Sequence, residues 1–309
     1  MATASGTAAN YKDLLALLRT FLIGTPGWTS LRYTVGGAGL PDECILRAPG
    51  LTGTDQIFVG ITTFENVTAD YFNWRLAGFT GFNGALTFGT QAGVMNNVFM
   101  TLWNSPIPYW FVANGRRVVI VAKVSTSFMM GYLGFINQYP SPNQYPYPLA
   151  IGGNFATSPE PALTDVSWRW SNAGFLNTNF PMATRYGPGG SVISTNTVSL
   201  RLRKTNGIWA DLAAGPDGGY SDSDPYNIWP YMAGMVNLQQ NLGATQSPVL
   251  PIILHDNTPE VYGELDGVVA TSGQAIASQD TLTVGVDSYL VVQNVFRTAR
   301  NQYAAVRLV

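Results

Sequence analysis

The sequence is short of charge. Asp, Glu, Lys and Arg make up 11% of its 309 residues, where a soluble domain carries roughly a quarter. It has one cysteine, Cys44, and one histidine, His255. A disulfide framework within the chain is therefore excluded, and so is a zinc site of the common Cys/His kind. A Ser-His-Asp triad would have to use His255, and no GxSxG elbow supplies its nucleophile. No run of 18 apolar residues occurs, so no membrane span is expected. The first residues, MATASGT, lack the basic start and apolar stretch of a secretion signal. Folding in a reducing cytoplasm is the expectation. The net charge is −2, which does not favour binding driven by a nucleic-acid backbone. The Glu, Lys, Ala and Leu bias of helical bundles and coiled coils is missing too.

What is present is apolar, aromatic and rich in turn residues. Hydrophobic residues make up 46% and aromatics 12%, with 33 Gly and 19 Pro. This composition argues against disorder. Of the 16 basic residues 13 are Arg, which holds planar multidentate contacts better than Lys. Interface cores lose Lys, Glu and Asp and gain Tyr, Trp, Phe, Met and Arg, and the whole chain leans that way. A surface so poor in charge is expected to be covered by other subunits. The alternative is a neutral-surfaced β protein that works alone.

Along the chain, residues 1–8 are small and polar and are expected to be mobile. Residues 9–23 predict an amphipathic helix. Tyr11, Leu14, Leu15, Leu18, Phe21 and Leu22 fall on one face, Asn10 suits the N-cap, and Gly24 with Pro26 stops it. That helix either closes one end of its own domain or docks as an arm on a neighbour. From Pro26 onward, short apolar runs alternate with Gly, Pro and Asn, the pattern of a mainly β chain folded as a β-sandwich or barrel-like sheets. Expected strands are Cys44–Arg47, Gln56–Phe64, Tyr71–Phe79, Tyr109–Ala113, Arg117–Val124 and Phe128–Ile136. Further on come Ser167–Trp170, Val198–Arg203, Ile208–Leu212, Val249–His255, Val261–Leu265, Val268–Ala270, Thr281–Val284, Ser288–Phe296 and Tyr303–Leu308. Asn114-Gly115 and Asn206-Gly207 mark hairpins. Residues 228–242 are readable as a broken helix. The division expected is an N-terminal arm and helix (1–25), a β-rich main domain (26–247) and a C-terminal β segment (248–309) belonging to the same domain or standing apart.

Few constellations carry chemistry. Asp217, Asp222 and Asp224 lie in one glycine-rich loop, where oxygen ligands could hold Ca²⁺, but the EF-hand spacing is absent and a solvated turn explains them. His255-Asp256 sits on a strand end, where neighbours point to opposite faces. Cys44 reads as a small buried hydrophobe. Glu65 with Asp70, or Glu260 with Glu264, could be nominated as a glycosidase pair, a signal that any chain with 18 carboxylates supplies. No catalytic residue, cofactor or metal is assigned. Exposed aromatics remain: Trp168-Arg169-Trp170, and Tyr139, Tyr145 and Tyr147 in the proline loop QYPSPNQYPYP. That loop is hard to bury, because its backbone lacks regular partners. The candidate interface comprises Tyr139, Tyr145 and Tyr147, the helix residues Leu14, Leu18 and Phe21, and Arg116 and Arg117 beside the first hairpin.

The run PIPYWFVANGRRVVIVAKVSTSFMMGYLGFINQYPSPNQYPYPLAIGG (Pro106–Gly153) resembles a segment of virion structural proteins of tailed bacteriophages. VYGELDGVVATSG (Val261–Gly273) and YLVVQNVFRTARNQYAAVRL (Tyr289–Leu308) are similar to the matching end of the same proteins. The resemblance implies a tail component, at the baseplate or the neck and collar, made in the host cytoplasm and incorporated into the virion. It implies a cyclic homo-oligomer in contact with other tail, baseplate or neck proteins, with no membrane or nucleic-acid partner. It transfers no catalytic motif. The alternative is a receptor-binding or capsid-decorating module that recognises a surface glycan through its aromatics.

Overall fold

The computed structural model describes residues 1–37, 40–68, 70–95, 98–153, 200–211, 213–214, 249–255, 261–273, 276–293 and 303–309. The fold is mainly β, with three antiparallel sheets and one helix near the N-terminus. The chain divides into two compact units. The first holds Met1–Phe135 and Leu149–Val166, and the second holds Ile136–Pro148 and Ser167–Val309.

The first unit contains β1 (Ala2–Ala8), α1 (Tyr11–Ile23), β2 (Thr29–Thr34), β3 (Glu43–Ala48), β4 (Ile57–Asn66) and β5 (Tyr71–Phe79). A 3₁₀ turn at Phe88–Thr90, β6 (Val98–Met100), β7 (Ile107–Ala113), β8 (Arg117–Val124) and β9 (Ser127–Phe135) follow. After β10 (Asn137–Gln138), which belongs to the second unit, comes β11 (Leu149–Gly152). One sheet runs β1-β7-β8-β9-β11, the other β2-β3-β4-β5-β6. The two face each other. A Cβ added at Gly131 of β9 would lie 3.4 Å from Met100 Sδ and 3.5 Å from a Leu76 methyl. The unit is thus a sandwich, and no barrel closes among the described residues.

Alternation and burial explain the strands. In β4 and β5 the runs Ile57–Ile61 and Tyr71–Trp74 are buried on both faces, as expected for strands covered on each side. Gly60 leaves room for Phe79 and Phe88, whose rings would both meet a Cβ at 2.7 Å. Asn114-Gly115 does make a hairpin, but the turn rests on Asn114. Its Oδ1 accepts the backbone N–H groups of Arg116 (2.7 Å) and Arg117 (3.0 Å). Gly115 serves close approach instead: Gly50 N donates to its carbonyl at 2.6 Å, and a Cβ there would stand 2.3 Å from Gly50 O.

One sequence expectation is corrected here, and one of two alternatives for the helix is favoured. Residues 1–8 are not a loose tail, since Ala2–Ala8 form a strand. β1 pairs with β7 in unbroken antiparallel register from Ala2↔Ala113 to Ala8↔Ile107. Its small side chains permit this, since a Cβ at Gly6 would meet the Tyr109 hydroxyl at 2.9 Å. α1 is not an arm. Tyr11, Leu14, Leu15, Leu18 and Leu22 are buried in its own unit, where each contributes roughly 1.5–3 kcal/mol of burial as an upper estimate. Asn10 caps the helix by accepting the N–H groups of Lys12 (2.9 Å) and Asp13 (3.0 Å). Trp74 Nε1 donates to Tyr11 O at 2.9 Å, and at the other end Trp28 N donates to Leu22 O at 2.9 Å while Trp28 Nε1 donates to Asn114 O at 2.8 Å, so the helix is pinned at both ends.

The second unit contains β10, β12 (Leu200–Arg203), β13 (Trp209–Asp211), β14 (Ala213–Ala214), β15 (Leu250–His255) and β16 (Val261–Thr271). It ends with β17 (Thr281–Val284), β18 (Asp287–Gln293) and β19 (Tyr303–Arg307). Its main sheet runs β14-β15-β16-β19-β18-β17, with β10 also on β16, and β12 with β13 forms the hairpin at Asn206-Gly207. Val261–Leu265 and Val268–Ala270 are not separate strands but two halves of β16. The register against β15 shifts between Pro251 and Ile253, and Gly267, at φ +70°, takes up the bend. The expected strand Ser167–Trp170, the helix 228–242 and the acidic loop with Asp217, Asp222 and Asp224 lie outside the described residues.

Candidate interface surfaces

The helix residues Leu14 and Leu18 have no exposed surface, and Phe21 is half-buried with its ring 5.8 Å from that of Phe111. Leu14 and Leu18 form the interior of the first unit and are not contact residues, whereas Phe21 keeps part of its surface. The i, i+3, i+4 pattern is the same for a core face and a docking face, and here the core takes it. Arg117 is likewise no contact residue. It has no exposed surface. Its guanidinium donates to Val112 O at 3.1 Å and lies 3.7 Å from Met1 Sδ. Arg116 is half-buried at the turn.

The proline loop of the second unit divides its tyrosines. Tyr145 is 1% exposed; its hydroxyl donates to Arg203 O at 2.5 Å and its ring packs 6.0 Å from Tyr262. Burial pushes its phenol far above the ordinary range. It is an internal anchor, contrary to the expectation of a contact residue. The loop satisfies its own backbone: Ser141 O accepts Gln144 N and Tyr145 N, Pro148 O accepts Ile136 N, and Tyr262 O accepts Tyr139 N. Tyr139 and Tyr147 face solvent, at 54% and 48% exposure. Tyr139 donates to Glu264 at 3.2 Å. Burial first, then the Glu264 charge, raises its phenol to about 12. The Arg203 guanidinium stands 4.9 Å from the Tyr147 ring centre, an arrangement that orients a ring without covering its outer face.

Glu65 takes part in packing at the start of α1. It accepts the Tyr11 hydroxyl and Lys12 Nζ, the latter at 3.2 Å, while Lys12 also donates to Leu40 O and lies 3.9 Å from the buried Asp42. These carboxylates cluster at the start of α1, where the helix dipole favours negative charge. Burial and Glu65 push the Tyr11 phenol far up. Asp70 stands in the β4–β5 turn at φ +50°. Beside Glu65 an open cleft of about 390 Å³ is lined by Glu43, Thr62, Phe64, Arg75 and Phe88 among others. Glu43 pairs with Arg32 at 2.7 Å, so both carboxylates are met by cations from behind. Glu264 serves Tyr139, and Glu260 lies outside the described residues. His255 stands in β15 opposite Ala213 and Val261, and Asp256 is outside the described residues, as are Trp168, Arg169 and Trp170. Cys44 is fully buried; burial raises its thiol to about 12, which leaves it inert as a nucleophile. Among the described residues no cluster of three metal-ligating side chains occurs, and no helix is long and apolar enough to cross a membrane.

Two surface features were missed from sequence. Loop tips carry exposed apolar side chains: Val35, Leu40, Leu51 and Val67 in the first unit, and Ile208 and Val286 in the second. The second feature is the outer edge of β1. Its signal is the alternation of Thr3, Ser5 and Thr7 with Ala2, Ala4, Gly6 and Ala8, a strand period with little hydropathy contrast. No family model matches the sequence, and no curated protein matches it.

Proposed function

We propose that this chain is a structural subunit of a tailed-bacteriophage virion. It builds the tail, in the baseplate or the neck and collar region, by symmetric contact with copies of itself and with neighbouring virion proteins. The observation that carries the reading is the skin of the two units. Loop tips that a free protein would cover with charge instead hold Val35, Leu51, Val67, Ile208 and Val286 at 63–93% exposure. Exposed apolar groups presented by a rigid β framework suit burial against other subunits. The resemblance of Pro106–Gly153 and the C-terminal strands to phage virion proteins names the assembly. The role is mechanical and asks for no catalysis. Purified particles should contain the chain in stoichiometric copies, and a reconstruction should place it in a ring of the tail. Absence from purified particles, with a stable monomer in solution, removes the reading.

A second reading, a module that recognises a surface glycan, is favoured by one observation: Tyr147 offers its ring to solvent with Arg203 behind it. Glycan binding that disappears in Tyr147→Ala while the fold persists would select it.

A further inference from the structure

The edges of the sheets are unequally protected. Among the described edge strands, β2 carries Arg32 and a bulge between Ser30 and Arg32, both devices that discourage pairing with another chain. β6 and β13 are three residues long, β14 two and β17 four. β1 has seven residues, no charge, no proline and no register shift against β7. Thr3, Ser5, Gly6 and Thr7 are exposed and Ala4 is half-buried. In an antiparallel strand alternate residues turn their N–H and C=O groups to each side. With β7 on one side, no described strand pairs with the other side of β1, which presents a row of donors and acceptors.

The strand is also close to a palindrome. Read about Ser5, Ala2-Thr3-Ala4-Ser5-Gly6-Thr7-Ala8 places Thr3 against Thr7, Ala4 against Gly6 and Ser5 against itself. A two-fold contact demands such self-complementarity, since each residue meets the symmetry mate of its partner. A strand from a different protein demands none. We propose that β1 pairs antiparallel with β1 of a second copy of this chain, over Thr3–Thr7, about a two-fold axis at Ser5. The pairing joins the sheets of two protomers into one. The register works for either set of outward groups: odd residues meet odd residues and even meet even. Thr and Ser hydroxyls then oppose one another on the exposed face, a favourable cross-strand pair. No like charges meet, and no side chain larger than Thr obstructs the approach. This inference rests on the assembly reading and specifies one of its contacts.

The test uses the full chain. Directly opposed Cα atoms lie about 4.5–5.5 Å apart, within the disulfide window of about 4.4–6.8 Å, whereas two copies of residue 3 stand about 13 Å apart at the rise of a strand. Ser5→Cys should therefore form a covalent dimer on mild oxidation. Thr3→Cys alone should not, and an equimolar mixture of Thr3→Cys with Thr7→Cys should cross-link. Cys44 is buried and gives no background. In sedimentation velocity, Ser5→Lys should weaken self-association at least tenfold by setting two ammonium groups opposite each other, and mixing it with Ser5→Glu should restore it. Cross-linking of Ser5→Cys no better than Thr3→Cys overturns the proposal, and so does unaltered association of a folded Ser5→Lys. If the chain still assembles in that case, the subunit reading stands and the β1 contact falls. A chain that is monomeric at every concentration and missing from particles removes both.

Discussion

Tyr145 and Tyr147 lie two residues apart in one proline loop and have opposite roles. The Tyr145 hydroxyl reaches Arg203 O at 2.5 Å in the interior, while Tyr147 is half exposed. Tyr145→Phe should lower stability by about 1–2 kcal/mol, a buried hydrogen bond and an abandoned carbonyl, read as a fall in Tm. Tyr147→Ala should leave Tm nearly unchanged and weaken assembly. Cys44 gives the pH dependence. Its thiol is held up to about 12 from an ordinary 9 by burial. Above pH 9 the unfolded chain sheds that proton and the folded chain keeps it, so the unfolded state binds fewer protons and stability falls as pH rises. The loss is absent below pH 9 and grows towards 12, to roughly 4 kcal/mol at most. Tyr139, with its phenol near 12, adds in the same direction. Urea titrations from pH 7 to 11 should show the decline, and Cys44→Val should flatten part of it. A flat profile in the parent chain would show that the thiol is not buried as described.

At the scale of elements, α1 shows what a local signal can and cannot say. Asn10 satisfies two N–H groups at the helix start, and Asn10→Ala should cost about 1 kcal/mol, measurable by chemical denaturation, with Asn10→Asp or Asn10→Ser nearly neutral. The cap, the apolar face and the stop at Gly24 were legible because all lie within one turn of the residues that cause them. β5, β8 and the Asn114 hairpin were legible as apolar runs bounded by turn residues, buried almost throughout. β1 and β2 were not. In β1 the alternation is between Thr or Ser and Ala or Gly, too weak a hydropathy contrast to register. In β2, TSLRYT is half-buried on both faces, so no alternation exists. β11 follows the proline loop with four residues, too few to show a period. The candidate surface was half legible. Proline spacing located the loop, but nothing nearby distinguishes Tyr145 from Tyr147. The acceptor that draws Tyr145 inward is a carbonyl 58 residues away.

Among the described residues, several charges of the molecule meet in pairs that serve the fold: Lys12 with Glu65, Arg32 with Glu43, Arg307 with Asp287. Beside exposed carboxylates such as Asp55 and Asp280, the described surface presents hydroxyls, amides, tyrosines and aliphatic loop tips. Association through such a skin has a definite response to ions. Contacts between opposite charges weaken as sodium chloride rises, because screening shortens the reach of each charge. Burial of apolar side chains and strand pairing do not depend on that reach, and excluded salts such as sulfate strengthen burial. The chain should therefore keep its oligomeric size across a wide range of sodium chloride and grow in size with ammonium sulfate below the precipitation point, followed by light scattering. Val286→Asp and Leu51→Asp place charge on two of the most exposed apolar positions at no packing cost. Each should leave the thermal transition in place and reduce the sulfate response. Dissociation in moderate sodium chloride would instead assign the contacts to ion pairs.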